Sequence, residues 1–284
     1  MKTLFISDLD GTLLNDQANL SDFTKIKLKE LVDKGLLFTV ATARTRATVK
    51  SMFSGVGLNL PWILMNGVLV YDPVTDKNIS SYEITHDDAE HVLSIYKKYN
   101  KSPMLYMLHD NYLEIQYKTL DNVYQSDYVN ARKDLLEKRF KKCDTELELN
   151  INDKLIYIVS LDKEELLAPI CKEIREENRV NCAFYSDNYT ECNFMECMNK
   201  EVSKGVAAKQ LKNYLNVDKI IVFGDNLNDL PLFKIADECY AVSNACSELK
   251  AEATGIIDSN NNDGVIKFIS DIFERNNNQE NFYE

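Results

Sequence analysis

The chain has 284 residues, of which 45% are hydrophobic, and a formal net charge of −12 at pH 7. It can therefore form one large or two ordinary globular domains, and its acidity argues against nucleic acid or membrane as a partner, because both attract basic surfaces. Its seven cysteines form an odd set without a C-x-x-C pair, which indicates reduced thiols. The N-terminal apolar run stops at Asp8, too soon for a signal peptide, and no run approaches the ~20 apolar residues that span a bilayer, so we expect a soluble cytoplasmic protein.

The first eighty residues predict alternating strands and helices. Apolar runs at 4–7, 36–42 and 61–65 predict strands, and the segments after Ser21 and near 45–54 predict helices. Unbroken apolar runs are typical of parallel strands that are covered on both faces.

The pattern changes from about residue 84. We predict a helix capped by Thr85, a hairpin turning at His109-Asp110-Asn111, a charged helix at 130–142, a strand at 154–161, a helix at 163–177 and a strand at 181–186. Mixed strands and helices of this kind indicate a smaller α+β module.

The first pattern returns near residue 189. A strand-like "ECNFMEC", a helix capped by Ser203, a strand at 218–225, the apolar runs "ECYAVSNA" and "ATGIID" and a helix at 264–275 follow in order. We therefore predict an α/β core with a Rossmann-like parallel sheet and helices on both faces, made of residues 1–83 and 189–284. An α+β domain at 84–188 interrupts it.

Polar side chains follow several of the predicted core strands. They are Asp8 and Asp10, Thr42, and Asp225 with Asn228 and Asp229, while Lys204 begins a helix. Each has an ordinary alternative: Asp229 or Thr42 could cap a helix, and Lys204 could be a surface lysine. Ligands bind at the carboxyl ends of the strands in open parallel sheets, so the set as a whole predicts a site there.

Four segments in this order, "DLDGTLL", "VATAR", "SKG" and "GDNLND", resemble the four motifs of the haloacid dehalogenase superfamily of phosphohydrolases. The inserted module resembles the α+β (C2-type) cap of the Cof-like branch, which selects the substrate. The dipeptides "NG" at 66–67 and "NA" at 244–245 and the segment "NDGV" at 262–265 also match. One position departs from the pattern: Ala43 stands where the family usually has glycine, and a less permissive residue there could tighten the loop.

The resemblance implies a phosphatase that acts through an aspartyl phosphate. It assigns Asp8 as the nucleophile, Asp10 as the general acid and base, and Lys204 as the cation that offsets their charge. Members of the family that keep a long-lived phosphoenzyme or remove halogens lack the acid at the position of Asp10. Its presence therefore favours hydrolysis of a phosphate ester, with a small phosphorylated metabolite as the substrate.

The resemblance also implies Mg²⁺, which would relieve repulsion between these carboxylates and a phosphate. Its protein ligands would be the carboxylates of Asp8 and Asp225 and the backbone carbonyl of Asp10, with Asp229 supporting them. Phosphoryl oxygens would accept hydrogen bonds from the Thr42 hydroxyl and from the amides of Leu9, Asp10 and Ala43, and Asn228 would support the ligands or touch the phosphoryl group.

Several alternatives stay open. Arg44 has two alternative roles, binding a second anionic group of the substrate or pairing with an acid at the domain junction. The same residues would serve a phosphotransferase or phosphomutase, and a catalytically silent sensor of phosphorylated ligands could share the fold. His86, His91 and His109 lie in the predicted cap and read as ordinary residues. The substrate and the oligomeric state, monomer or homodimer, stay open.

Overall fold

The structure is a computed structural model that describes residues 2–109, 112–134, 138–144, 147, 149, 153–187 and 190–280. The chain begins with β1 (Thr3–Ser7), α1 (Asp22–Asp33), β2 (Leu37–Val40), α2 (Arg46–Met52), β3 (Trp62–Leu64), β4 (Leu69–Asp72) and β5 (Lys77–Ser81). It continues with α3 (His86–Lys98), β6 (Met104–Leu108), β7 (Leu113–Tyr117), α4 (Val123–Asn130), β8 (Lys138–Lys142), β9 (Leu155–Asp162), α5 (Glu164–Glu177), β10 (Val180–Ser186) and β11 (Asn193–Asn199). The last elements are α6 (Lys204–Leu215), β12 (Lys219–Gly224), α7 (Leu230–Phe233), β13 (Glu238–Val242), α8 (Ser247–Glu252), β14 (Gly255–Ile257) and α9 (Gly264–Glu280).

The chain forms two compact units. The first contains the residues up to Ile79 and from Ser203 onwards, and the second contains Ser80–Val202. These limits differ from the predicted 84–188 mainly at the second junction, because β11 pairs with both β9 and β10 and so belongs to the second unit. An apolar strand has the same sequence pattern in the sheet of the first unit as in that of the second, so only its pairing partners show which sheet it joins.

The first unit is built on a five-stranded sheet in the order β14-β13-β12-β1-β2. Every pair in it is parallel, which confirms the predicted α/β sheet. From β1 the chain moves outwards to β2, and it returns on the other side of β1 to form β12. The order of the strands thus reverses between β1 and β12, which is where open sheets of this kind bind ligands.

The predicted third strand joins this sheet only weakly. Its residue Ile63 forms a single parallel bridge with Ala41, just beyond β2. The strand itself, β3, pairs antiparallel with β4 in a separate three-stranded sheet of the order β3-β4-β5. The bridge nevertheless brings the end of β3 beside the end of β2.

Local sequence signals fix the segments that follow these strands. Gly11 takes a φ of 78° in the turn Leu9–Leu13, a conformation that glycine adopts without strain. The Ser203 hydroxyl accepts a hydrogen bond from the Val206 amide at 3.2 Å, so it caps α6 as predicted and makes Lys204 the first residue of that helix.

The second unit has a six-stranded sheet in the order β10-β11-β9-β6-β7-β8. Helix α5 packs against β10 and β11, and α3 packs against α5. Apolar side chains between the helices and the sheet form its core, among them Val92, Ile95, Ile158, Leu167 and Met195. The predicted hairpin is present as the antiparallel pair β6 and β7, although residues 110 and 111 of its turn lie outside the described residues. None of the helices in the described ranges is long and apolar enough to cross a membrane.

The predicted charged helix at 130–142 is wrong. Helix α4 ends at Asn130, and Lys138–Lys142 forms β8, which pairs in parallel with β7; residues 135–137 of the prediction lie outside the described residues. The local charge pattern suits a solvated helix face, but β8 is an edge strand, where lysines are favoured because they oppose further pairing. Pairing with a distant strand overrides local propensity here.

Helices α6 and α7 approach so closely at Gly205, the residue after Lys204, that only glycine fits there. A Cβ built on Gly205 would overlap the backbone carbonyl of Pro231, which cannot rotate away. We expect Gly205→Ala to lower the free energy of unfolding by about 1–3 kcal/mol, because overpacking outweighs the better helix propensity of alanine. Urea unfolding followed by circular dichroism measures this loss.

Gly255→Ala is the matched control. There the built Cβ lies 3.2 Å from the edge of the Tyr240 ring, a side chain that can move. Its effect on stability should be smaller, and equal losses in the two variants would contradict this account of the α6–α7 contact.

Candidate active site

Two acids lie side by side where the sheet order reverses. Asp8 directly follows β1, and its amide donates to the Phe223 carbonyl of β12 at 3.0 Å, which continues the ladder between the two strands. Asp225 directly follows Gly224, the last residue of β12. The carboxylate oxygens of Asp8, Asp225 and Asp229 lie within 4.8 Å of one another, and all three residues are buried.

A buried lysine joins two of these acids. The Nζ of Lys204 donates to Oδ1 of Asp8 at 2.6 Å and to Oδ1 of Asp229 at 2.7 Å. Lys204 itself is only 1% exposed, so the alternative of a surface lysine is excluded. A buried ammonium needs such partners, because removing it from water without them is strongly unfavourable.

The buried cluster contains more acidic than basic side chains, and burial together with these charges shifts the pKa values of Asp8, Asp225 and Lys204. Burial raises the pKa of Asp8 to about 7, with Lys204 opposing the rise and Asp229 and Asp10 adding to it. Burial, followed by the charges of Asp8 and Asp229, raises the pKa of Asp225 to about 9. Burial alone would lower the pKa of Lys204, but the charges of Asp229 and Asp8 outweigh it and hold that pKa above its usual value. Lys204 thus binds two of the three buried acids, and a further positive charge beside them would favour their ionised forms.

Asp229 holds the end of β12 in place. Its Oδ2 accepts hydrogen bonds from the amides of Asp225 at 3.0 Å and Asn226 at 3.3 Å, whereas its Oδ1 binds Lys204. Its side chain makes no cap to α7, and its bond to the Asn226 amide closes a capping box on the single 3-10 turn Leu227–Asp229 instead. A Cβ built on Gly224 would overlap the Asp229 carboxylate, which explains the glycine before Asp225.

Asp10 has different surroundings from Asp8. Its carboxylate is 26% exposed and is bound by Arg44 through two bonds: Nε donates to Oδ2 at 2.7 Å, and Nη2 donates to Oδ1. Arg44 thus pairs with Asp10, an acid of the site rather than one at the domain junction. Such a fork-to-fork pair fixes the orientation of both side chains.

Thr42 lies at the adjacent strand end. It is fully buried, its amide donates to the Ile63 carbonyl at 2.9 Å, and its hydroxyl oxygen accepts from the Arg44 amide at 3.1 Å. An accepted bond uses a lone pair, so the hydroxyl proton can still be donated to a ligand. The next residue, Ala43, does not take a positive φ, so its backbone conformation does not require glycine.

Three polar side chains without a predicted role also contact residues of the site: Thr12, Asn66 and Asn244. The Thr12 hydroxyl donates to Oδ1 of Asp225 at 3.1 Å, and the amide of Asn244 donates to the Gly11 carbonyl at 2.7 Å. The Asn228 amide donates to Oδ1 of Asn66 at 3.3 Å. The sequence marked the segments of Asn66 and Asn244 only as matches to a family pattern, and it held no signal for which groups these amides would meet.

Comparison with known proteins identifies the family of this chain. A family model described as haloacid dehalogenase-like hydrolase matches residues 5–269. The 5-amino-6-(5-phospho-D-ribitylamino)uracil phosphatase YwtE of Bacillus subtilis (strain 168) is 26% identical, over 96% of this chain and 98% of its own. A second such phosphatase of the same strain, YcsE, is 24% identical over 94% of each chain. A crystal structure from Thermotoga maritima superposes with a TM-score of 0.75 at 25% identity and covers 97% of both chains. The family match spans nearly the whole chain and confirms the resemblance of the four motifs: this protein belongs to the haloacid dehalogenase-like hydrolases.

Proposed function

We propose that this protein is a magnesium-dependent phosphatase that hydrolyses small phosphorylated metabolites through an aspartyl phosphate on Asp8. The observation that carries the proposal is the buried Lys204 ammonium bound to Asp8 and Asp229 beside Asp225. Family membership supports the phosphatase class, and the arrangement of these four side chains supports the mechanism.

In this proposal the Asp8 carboxylate attacks the phosphorus atom. Lys204 binds one oxygen of Asp8, which orients the carboxylate and favours its ionised form. The Thr42 hydroxyl and the amides of Leu9, Asp10 and Ala43 donate to the phosphoryl oxygens as charge moves onto them. The carboxylate forms a bond to phosphorus as the bond to the leaving alkoxide breaks, and this phosphorylation of Asp8 splits the hydrolysis into two displacements.

Asp10 transfers the protons. It gives a proton to the leaving alkoxide in the first step and accepts one from the attacking water in the second. Arg44 binds both oxygens of Asp10 in this structure, and each oxygen keeps a second lone pair that can carry the transferred proton.

The donor set fits Mg²⁺, which prefers oxygen ligands. When all three buried carboxylates are ionised, one ammonium leaves negative charge without a partner, and burial together with the neighbouring acids raises the pKa values of Asp8 and Asp225. Both oxygens of Asp229 already accept hydrogen bonds, so Asp8, Asp225 and the backbone carbonyl of Asp10 are the ligands that we propose. When bound, the ion would neutralise charge on the phosphoryl group.

The second unit would select the substrate. The two Bacillus subtilis relatives are named for a phosphorylated ribitylaminouracil, so a screen should include that compound together with sugar phosphates and pyridoxal phosphate. Phosphate release from the purified protein tests the proposal. Transfer of the phosphoryl group to a sugar, with no release to water, would show a phosphotransferase instead, and binding without turnover would show a sensor.

Asp8→Asn should reduce turnover by at least about a thousandfold, because it removes the nucleophile at constant volume. Steady-state hydrolysis of p-nitrophenyl phosphate measures the loss, and Asp33→Asn, on the exposed face of α1, is the control that should match wild type. Asp8→Asn activity within about tenfold of wild type would refute the assignment.

Asp10→Asn should slow turnover and let the phosphoenzyme accumulate with activated esters. Such esters need no proton for their leaving group, whereas water attack on the aspartyl phosphate still needs a base. Intact-mass spectrometry after an acid quench would detect the phosphorylated protein. Its absence, in a variant that still releases p-nitrophenol in a burst, would contradict the role of Asp10.

Stability should depend on pH in the ion-free protein. The folded-state pKa values of Asp8 and Asp225, about 7 and about 9, lie above the ordinary value of 3.8, so the folded protein binds more protons than the unfolded chain between these limits. The free energy of unfolding should therefore fall as pH rises from 3.8 to about 9.

Because Mg²⁺ favours the ionised carboxylates, its addition should raise the Tm more at about pH 8 than at about pH 5. Differential scanning fluorimetry with and without a chelator measures the difference. Asp225→Asn removes one of the two titrating acids and should reduce it. An equal increase at both pH values would contradict the predicted linkage.

A further inference from the structure

A strained turn follows β3 in the first unit. Three successive residues of it have positive φ angles: Met65 at 50°, Asn66 at 55° and Gly67 at 100°. Glycine takes this conformation freely and asparagine tolerates it, but a residue such as methionine adopts it only when its surroundings demand it. Strain of this kind concentrates at functional sites.

The surroundings of the turn are the phosphate-binding segment that we propose. The Met65 amide donates to the Arg44 carbonyl at 3.1 Å, and the Asn66 amide donates to the Thr42 carbonyl at 3.0 Å. These two carbonyls lie on either side of Ala43. The turn thus fixes the backbone that presents the Thr42 hydroxyl and the Ala43 amide.

The side chain of Asn66 reaches another part of the site. Asn66 is 5% exposed, and its Oδ1 accepts from Nδ2 of Asn228 at 3.3 Å. A Cβ built on the next residue, Gly67, would overlap the Ser203 carbonyl that directly precedes Lys204. The turn therefore meets three segments of the site, which carry Thr42, Asn228 and Lys204.

We propose that Asn66 is a positioning residue for phosphoryl binding, which orients the amide of Asn228 through its side chain and the Thr42–Arg44 segment through its backbone. The inference rests on the proposed function. Asparagine suits both tasks, because it tolerates the left-handed backbone and still offers a short carbonyl to Asn228. In this role Asn66 acts through Asn228 and does not itself touch the substrate.

The test is a double-mutant cycle of Asn66→Gly and Asn228→Ala. Glycine keeps the left-handed backbone and removes only the side chain, so the variant should fold. We expect Asn66→Gly to lower kcat/KM for p-nitrophenyl phosphate by about tenfold and to raise the inhibition constant of inorganic phosphate in parallel. The double variant should be no worse than Asn228→Ala alone, because both changes remove one interaction.

Asn216→Gly is the matched control. Asn216 also has a positive φ, 49°, but it ends α6 on the exposed surface. Its replacement should leave both constants at wild-type values, so a general effect of replacing a left-handed asparagine is separated from the role of Asn66.

Three results would overturn the inference. The first is phosphate inhibition of Asn66→Gly at the wild-type value, and the second is a double variant in which the effects of the two single variants multiply. The third is loss of folding in Asn66→Gly, which would make the residue merely structural. These results leave the proposed function intact as long as turnover depends on Asp8. Hydrolysis that survives Asp8→Asn would overturn the proposed function, and this inference with it.

Discussion

The ammonium of Lys204 between Asp8 and Asp229 is the interaction on which the site depends. A buried cation is tolerated only with excellent partners, since the penalty for removing it from water amounts to several kcal/mol. Its place makes the requirement stricter, because Lys204 is the first residue of α6 and the amino end of a helix repels positive charge. Neither stability nor helix formation favours a lysine there, whereas a site that handles anions does.

This one cation also constrains the segments around it. Asp229 can reach it only if its carboxylate lies against the backbone after β12, and a side chain at Gly224 would prevent that. Asp8 can reach it only from the end of β1, the strand beside β12. The glycines at 205 and 224 thus serve packing around the charged centre, where a methyl group would displace backbone or carboxylate.

The two acids of the first motif are separated by a single residue and yet have unlike environments. Asp8 is buried among acids with one cation, and Asp10 is partly exposed and held by Arg44. Two carboxyl groups with different surroundings can take different tasks, one as nucleophile and one as proton carrier. Asp8 directly follows the strand, whereas Asp10 lies in the tight turn that contains Gly11. Two residues that are close in the sequence therefore have different surroundings.

The sequence predicted those features that depend on local signals or on the ends of parallel strands. Ser203 as a cap and Asp8 beside Asp225 are of this kind, because a strand's own residues decide where it ends. Features that depend on a distant partner were missed. The charges of Lys138–Lys142 predict a helix face, but the segment is a strand because it pairs with β7. Strand β11 was predicted as a core strand, but its pairing with β10 assigns it to the second unit.

The contact between Asn66 and Asn228 joins residues 162 positions apart, and no periodicity or cap signal records such a pair. The pairing of Arg44 with Asp10 depends on a side-chain direction, which the sequence does not contain. Polar contacts inside a site are therefore harder to predict than the elements that carry them, because they depend on the sum of many backbone positions.

The position of the second unit in the sequence follows from the same constraints. It is inserted between the segment that ends with β4 and β5 and the segment that begins with Ser203, and all the proposed catalytic and phosphate-binding residues lie in the first unit. The backbone of Gly67 lies against the Ser203 carbonyl, so the core chain on one side of the insertion is packed directly on the chain at the other side. The entropy cost of closing the intervening chain between these packed ends grows only slowly with its length. Asp8, Thr42, Lys204 and Asp225 all lie in the first unit, so their positions are set by the core chain and not by the inserted sequence.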